Sequence, residues 1–199
     1  MKDSASDVDR RIAERVRELR AQRGLSLEAL ASKCGVSRSM ISLVERGETS
    51  PTASLLQKLS TGLGLTLAAL FDPPAADQAT PRGPLARREA QVEWRDPESG
   101  YVRRNVSPPG AQQPMRIVEV HFPPRQRVAF ENGAQDVLVH QQVWVLEGSI
   151  DVTSGSEQHR LKAGDCLAMT LDRPTVFHNP TRQAARYAVV LASESRGRR

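Results

Sequence analysis

Cysteine is nearly absent from this chain: Cys34 and Cys166 are the only two in 199 residues, far apart and without CxxC spacing. That excludes a disulfide framework and a zinc site of ordinary spacing, and both cysteines read as small buried hydrophobes. Aromatic residues make up only 4% of the chain, while 39% hydrophobic and 26% charged residues are the composition of a soluble globular protein. No apolar run approaches the roughly 20 residues that a membrane-spanning helix needs. The polar start MKDSASDVDRR is followed by no apolar segment of signal-peptide type, so a cytoplasmic protein without a membrane partner is expected. Charge of one sign is in small excess only, with 28 Lys and Arg against 23 Asp and Glu for a net +5, which favours an anionic partner without naming it.

Two organisations of residue pattern divide the chain. Residues 1–72 read as a run of short helices without a convincing strand. DPPAADQATPRGP then breaks every periodicity, and 73–95 is expected to be a linker. From there MRIVEVHF, VWVLEG, IDVTS, LKAGDCLAM and ARYAVVLA alternate with glycine, proline and asparagine turns, as in a sandwich or barrel. A β-domain over 96–193 and a disordered basic tail over 194–199 complete the expectation. Charge does not separate the modules, since residues 1–72 hold 11 basic and 9 acidic side chains and the remainder 17 and 14. A nucleic-acid reading has to rest on where the charges sit.

In the first helix Ile12, Val16 and Leu19 recur at helical spacing, and Gly24 suits its C-terminal end. Ser26 can cap a second helix with the stripe Leu27, Leu30, Ala31 and Cys34. Gly35 can end it in the left-handed conformation, and Ser37 can cap a third. In GVSRSMISLVERG the apolar side is Ile41 and Val44 with Met40 partly sharing it, which leaves Arg38, Ser39, Ser42 and Leu43 facing outward. Two helices joined by a short glycine-containing turn describe a helix-turn-helix.

The segment from Val16 to Phe71 closely resembles the DNA-binding domain of the Cro and phage-repressor type, the XRE family. LR before a glycine turn, L-A-x-x-x-G-V-S, I-S-x-x-E-x-G and the proline after that loop carry the likeness. The resemblance implies a five-helix Cro/C1-type domain whose third helix enters the major groove. It implies base contacts from Arg38, Ser39, Ser42 and Leu43, and backbone contacts from Ser26, Ser37, Arg46, Thr49 and Ser50. Arg20 and Glu45 match the positions of a structural ion pair between the first and third helices. Leu27 departs from the glutamine that many members carry at the start of the second helix.

Residues 143–180 resemble the core of the small cupin β-barrel, a jelly roll, anchored by V-L-E-G at Gly148 and A-G-D at Gly164. Enzymatic cupins hold a metal through two histidines and a glutamate of one motif and a histidine of a second. Here the glutamate position falls on Gln141, the first histidine positions near residues 134–137, and the last on Thr175; Asn179 matches. His140 and His178 make a poor replacement set without a carboxylate or a third nitrogen, so no metal and no cofactor is expected. The barrel interior suits one small ligand, with His140, Gln141, Trp144, Met169, Thr175 and His178 as candidate pocket residues.

The fold class expected is therefore multidomain α + β: a helix-turn-helix domain followed by a cupin barrel. The function expected is a bacterial XRE-family transcriptional regulator, not an enzyme. It would be a homodimer on a two-fold symmetric double-stranded operator, responding to an unknown small-molecule effector, with the proline-rich linker transmitting orientation. The alternatives are a metal-dependent cupin enzyme tethered to DNA, and an antitoxin-like or architectural DNA-binding protein whose barrel binds another protein.

Overall fold

A computed structural model describes residues 5–72, 83–109, 115–132 and 137–195. Helix α1 (Ala5–Gln22) buries Val8, Ile12, Val16 and Leu19 along one stripe. Helix α2 (Leu27–Cys34) starts at Ser26, whose Oγ accepts from Ala29 N at 3.0 Å, and ends at Gly35 with φ +64°. Helix α3 (Arg38–Glu45) starts at Ser37, whose Oγ accepts from Met40 N at 3.2 Å. Helix α4 (Ala53–Gly62) is capped in the same way by Thr52. A serine or threonine at each of these starts satisfies an amide that the helix itself leaves open.

The expected fifth helix is a 3-10 turn, Leu67–Phe71. Five residues between Thr66 and Asp72 hold only i→i+3 bonds, Ala69 N to Thr66 O at 3.0 Å and Asp72 N to Ala69 O at 3.3 Å, and two prolines follow in the sequence. Among the described residues the domain thus has four α-helices and this turn.

Among the described residues ten strands follow: β1 (Glu93–Arg95), β2 (Val102–Asn105), β3 (Met115–Phe122), β4 (Arg127–Phe130), β5 (Val137–Glu147), β6 (Ser149–Ser154), β7 (Glu157–Lys162), β8 (Cys166–Thr170), β9 (Thr175–His178) and β10 (Ala185–Ser195). They form a six-stranded sheet, β1-β2-β3-β10-β5-β8, and a four-stranded sheet, β4-β9-β6-β7, with every pairing antiparallel. Among the described residues the two sheets do not close into one hydrogen-bonded barrel, which corrects the barrel expectation to a two-sheet, jelly-roll-like arrangement. The β-unit also starts earlier and ends later than expected. Strand β1 lies inside the span read as linker, and β10 continues to Ser195. Three residues are too few to display a strand period, so EWR gave no signal. Residues 73–82 and 196–199 lie outside the described residues.

Gly148 closes β5 at φ +75°, and a Cβ there would meet Ala184 O at 2.9 Å and Ala185 Cα at 3.1 Å, so the tight approach to the start of β10 requires glycine. Asn179 is fully buried and latches a turn: its Nδ2 donates to Phe122 O, Pro123 O and Gln183 O, and its Oδ1 accepts from Thr181.

The modules are packed on each other. Asp96 Oδ1 accepts from Ala53 N at the start of α4, at 2.8 Å, so the β-domain supplies part of that helix's cap. Arg116 grips Asp72 through two bonds of 3.0 Å, and Lys58 reaches Glu131 at 2.9 Å. Seven of the eight aromatic residues form one continuous run across the junction, Phe71, Trp94, Tyr101, Phe122, Tyr187, Phe177 and Phe130, with successive ring centroids 5.8–6.2 Å apart. Such spacings are in the range of favourable edge-to-face and stacked pairs. The scarce aromatics are thus concentrated where the two modules meet and in the β-domain core.

Candidate DNA-binding face and the cavity between modules

Ile41, Val44 and Glu45 turn α3 inward, and its other side is open. Arg38 and Ser39 are exposed and Ser42 and Leu43 half-buried. Met40, expected to share the core side, is 36% exposed and belongs with them. Ser26 and Ser37 act as helix caps, and the Ser37 hydroxyl also lies 3.2 Å from that of Ser39. Thr49 is half-buried, and exposed Ser50 donates to Asp9 on α1 at 2.5 Å.

Arg46 is already engaged. Its Nε and Nη2 donate to Glu48 at 2.6 and 2.8 Å, and its Nη1 donates to Ser42 Oγ. The guanidinium holds the Glu48 carboxyl below its ordinary range, yet both groups are exposed and solvent screens the pair. A phosphate can replace Glu48 at little cost.

Arg20 and Glu45 form the ion pair that the resemblance implies. Arg20 Nε donates to Glu45 Oε1 at 2.6 Å, Nη2 to Oε2 at 2.8 Å, and Nη1 to Leu25 O at 2.8 Å. The pair ties α1 to the last turn of α3 and to the loop before α2. It therefore sets the angle at which α3 is presented.

Between the sheets, with residues of the helical module on its wall, lies a cavity with about 720 Å³ of space, the solvent at its mouth included. Gln141 and Thr175 stand on its wall. So do Gln57 of α4 and Thr66 and Leu67 at the start of the 3-10 turn, which no sequence pattern pointed to. Hydrogen bonds join residues of this wall: Gln57 Nε2 donates to Asn132 Oδ1 at 3.3 Å, and Asn132 Nδ2 to Thr175 Oγ1 at 3.0 Å.

The other candidate pocket residues lie elsewhere, and the phase of alternation explains why. On β5, Val139, Gln141, Val143 and Val145 point inward, so His140 and Trp144 point outward, Trp144 being 50% exposed. On β9, Thr175 and Phe177 point inward and His178 is half-buried with its Nδ1 4.0 Å from Asp151. Met169 on β8 is half-buried, with its Sδ 3.9 Å from Gln141 Nε2, but is not on the cavity wall. Cys166, read as buried, is exposed in register with Trp144, while Cys34 is buried as expected. His140 and His178 belong to different sheets, and among the described residues no group of three His, Cys, Asp or Glu gathers as a metal site would.

Residues 16–70 match the helix-turn-helix family HTH_3. Together with the fold, this match defines the class: the chain carries an HTH_3 (XRE-type) helix-turn-helix domain followed by a two-sheet, jelly-roll-like β-domain. Among known proteins it is similar to the HTH-type transcriptional regulator SutR of Escherichia coli K12, 26% identical over 185 residues that span 91% of this chain and 94% of the relative. It is also similar to the HTH-type transcriptional regulator PuuR of the same strain, 27% identical over 176 residues, 83% and 86% of the two chains. The crystal structure of an HTH_3 family transcriptional regulator from Vibrio cholerae superposes with a TM-score of 0.74 at 26% identity, covering 95% of this chain and 98% of that one. The likeness thus runs through both modules. Among the described residues no helix is long and apolar enough to cross a membrane.

Proposed function

We propose that this protein binds a two-fold symmetric operator as a homodimer and that a small molecule in the cavity between its modules changes that binding. The observation that carries the reading is the double wall of the cavity. Residues of the cupin-like sheets and of the helix-turn-helix module, Gln57, Thr66 and Leu67, line the same space. A ligand there touches the DNA-binding module directly, so it can favour one arrangement of the two modules over another.

On the DNA side, Arg38 and Ser39 near the start of α3 and Ser42 and Leu43 beyond them serve as base readers. Arg46, Thr49, Ser50 and the capping serines Ser26 and Ser37 serve as backbone contacts. Arg38 brings the group best suited to grip guanine O6 and N7, and Leu43 an apolar contact for a thymine methyl. Dimerisation places two α3 helices about 34–36 Å apart on one side of the duplex. The outer face of the six-stranded sheet supports the dimer. Met115 and Ile117 of β3, Val190 of β10 and Trp144 of β5 lie on it in neighbouring register, and three of them are large exposed hydrophobics.

The test is selection of bound sequences from random duplex DNA at stated salt, with the full-length wild type and Arg38→Ala. A symmetric motif is expected, and the variant should lose about 1–3 kcal/mol of preference at one base pair per half-site. Recovery of no symmetric motif refutes the reading. Uniform weakening without loss of preference at any base pair makes Arg38 a phosphate contact.

A further inference from the structure

Arginines drawn into this fold meet carboxylates. Arg15 donates to Glu18 at 2.8 Å, Arg20 lays its Nε and Nη2 on the two oxygens of Glu45, and Arg160 lays the same edge on Asp151. Arg104 on β2 reaches Glu119 at 2.5 Å. Arg103, its neighbour on the opposite face of β2, does not follow the pattern. It is buried on the cavity wall, and its Nε and Nη2 have no hydrogen-bond partner in the protein. Those two atoms are the edge that Arg20 and Arg160 use to hold carboxylates. The groups that Arg103 does meet are Tyr101 and Tyr187, hydroxyls that stay neutral because burial raises both, Tyr101 to about 12. A buried cation with no counter-charge is costly to keep, and its cost is relieved by an anion.

We infer that the cavity takes a small organic anion, its two-oxygen head on the Nε–Nη2 edge of Arg103 and its apolar body against Phe130, Leu171 and Phe177. This deepens the sensing role proposed above and rests on it. The fork of a guanidinium matches a carboxylate or phosphonate head with two parallel bonds. The rest of the wall is largely apolar, so a body of hydrocarbon character is selected with the head.

The same geometry links binding to the helical module. Arg103 Cζ sits 5.4 Å from the centre of the Phe71 ring, a cation–π contact with the last residue of the 3-10 turn. The Nε and Nη2 atoms are sealed from water in this arrangement. To receive an anion the guanidinium turns into the cavity and leaves the Phe71 ring, while Thr66 and Leu67 at the other end of that turn form part of the cavity wall. Occupancy thus acts on both ends of one short element of the DNA-binding module.

The experiment uses the full chain with straight-chain carboxylates from acetate to octanoate, benzoate, phenylphosphonate, and the matched amides hexanamide and benzamide. Thermal melting and titration calorimetry are the readouts. An anion is expected to raise the melting temperature and bind while its amide does neither, the carboxylate and phosphonate arms identifying the head. Arg103→Met should abolish the effect. Arg103→Lys, which keeps the charge but not the fork and protects the test if the first variant does not fold, should weaken binding about tenfold or more. The inference is overturned if no anion binds, if an amide binds as well as its acid, or if binding survives in Arg103→Lys unchanged. DNA selection with the same protein separates the two proposals. A symmetric operator without anion binding removes only the anion site, and Arg103-dependent anion binding without an operator removes only the regulatory reading.

Discussion

Replacing Arg20 should cost more than replacing Glu45, although the two form one ion pair. Their side chains are unequally buried, with Glu45 7% exposed and Arg20 18%. Arg20→Met leaves a carboxylate stranded between α1 and α3, and removing one partner of a buried pair costs about 3–5 kcal/mol. Glu45→Met leaves a guanidinium that still donates to Leu25 O and has water within reach, which reduces the cost to about 1–2 kcal/mol. The double variant removes both charges and fills the space with hydrocarbon, so it should lie closer to wild type than Arg20→Met. Urea denaturation of the full chain measures this, read by far-ultraviolet circular dichroism, since the α-helices of the described residues lie within 5–62. Tryptophan fluorescence follows the β-domain and the junction, because Trp144 lies on β5 and Trp94 on β1 against Phe71. Equal costs for the two single variants, or costs below about 1 kcal/mol for both, would refute the reasoning.

Two further outcomes are expected. Gly148→Ala combines a left-handed backbone with a carbonyl 2.9 Å from the new Cβ, so it should destabilise the β-domain by at least about 2 kcal/mol in the fluorescence-detected melt, and a loss under about 0.5 kcal/mol contradicts it. Glu48→Gln releases Arg46 and removes a negative charge beside the proposed phosphate contacts, so DNA affinity by fluorescence anisotropy should rise a few-fold at low salt and converge with wild type at high salt; unchanged affinity at low salt excludes Arg46 as a phosphate contact.

The helical module was legible because its signals are local. Ser26, Gly35 and Ser37 announce three helix boundaries through chemistry within four residues, and the structure has each in that role. The Arg20–Glu45 pair spans 25 positions and came only through the family likeness, since no periodicity joins them. The cavity was far less legible. Alternation says that every second residue of β5 faces inward but not which set, and both His140 and Gln141 fitted a pocket until neighbouring strands fixed the phase. Arg103 gave no signal at all. In VRRN two adjacent arginines point to opposite faces, and only the third dimension shows that Arg104 finds Glu119 while Arg103 finds no carboxylate. Gln57, Thr66 and Leu67 escaped for a related reason: they look like ordinary residues of a small helical domain until a second domain is packed on them.

That packing changes how a signal can pass between the modules. A linker transmits orientation through its stiffness, and the proline-rich stretch suggested that route. The docked surfaces offer a shorter one: Asp96 helps cap α4, Arg116 holds Asp72, and Phe71 stands between Trp94 and the guanidinium of Arg103. A ligand shifts an equilibrium only by its difference in affinity for the two states, and about 1.4 kcal/mol of difference gives a tenfold shift. One cation–π contact exchanged for one charge-assisted pair is of that order. The contacts around Phe71 are therefore large enough to couple the proposed ligand to the helix-turn-helix module, whose α1 and α4 pack on the 3-10 turn, without any contribution from the linker, and the sensitivity of operator binding to Phe71→Leu, rather than to linker length, is where that coupling should be sought.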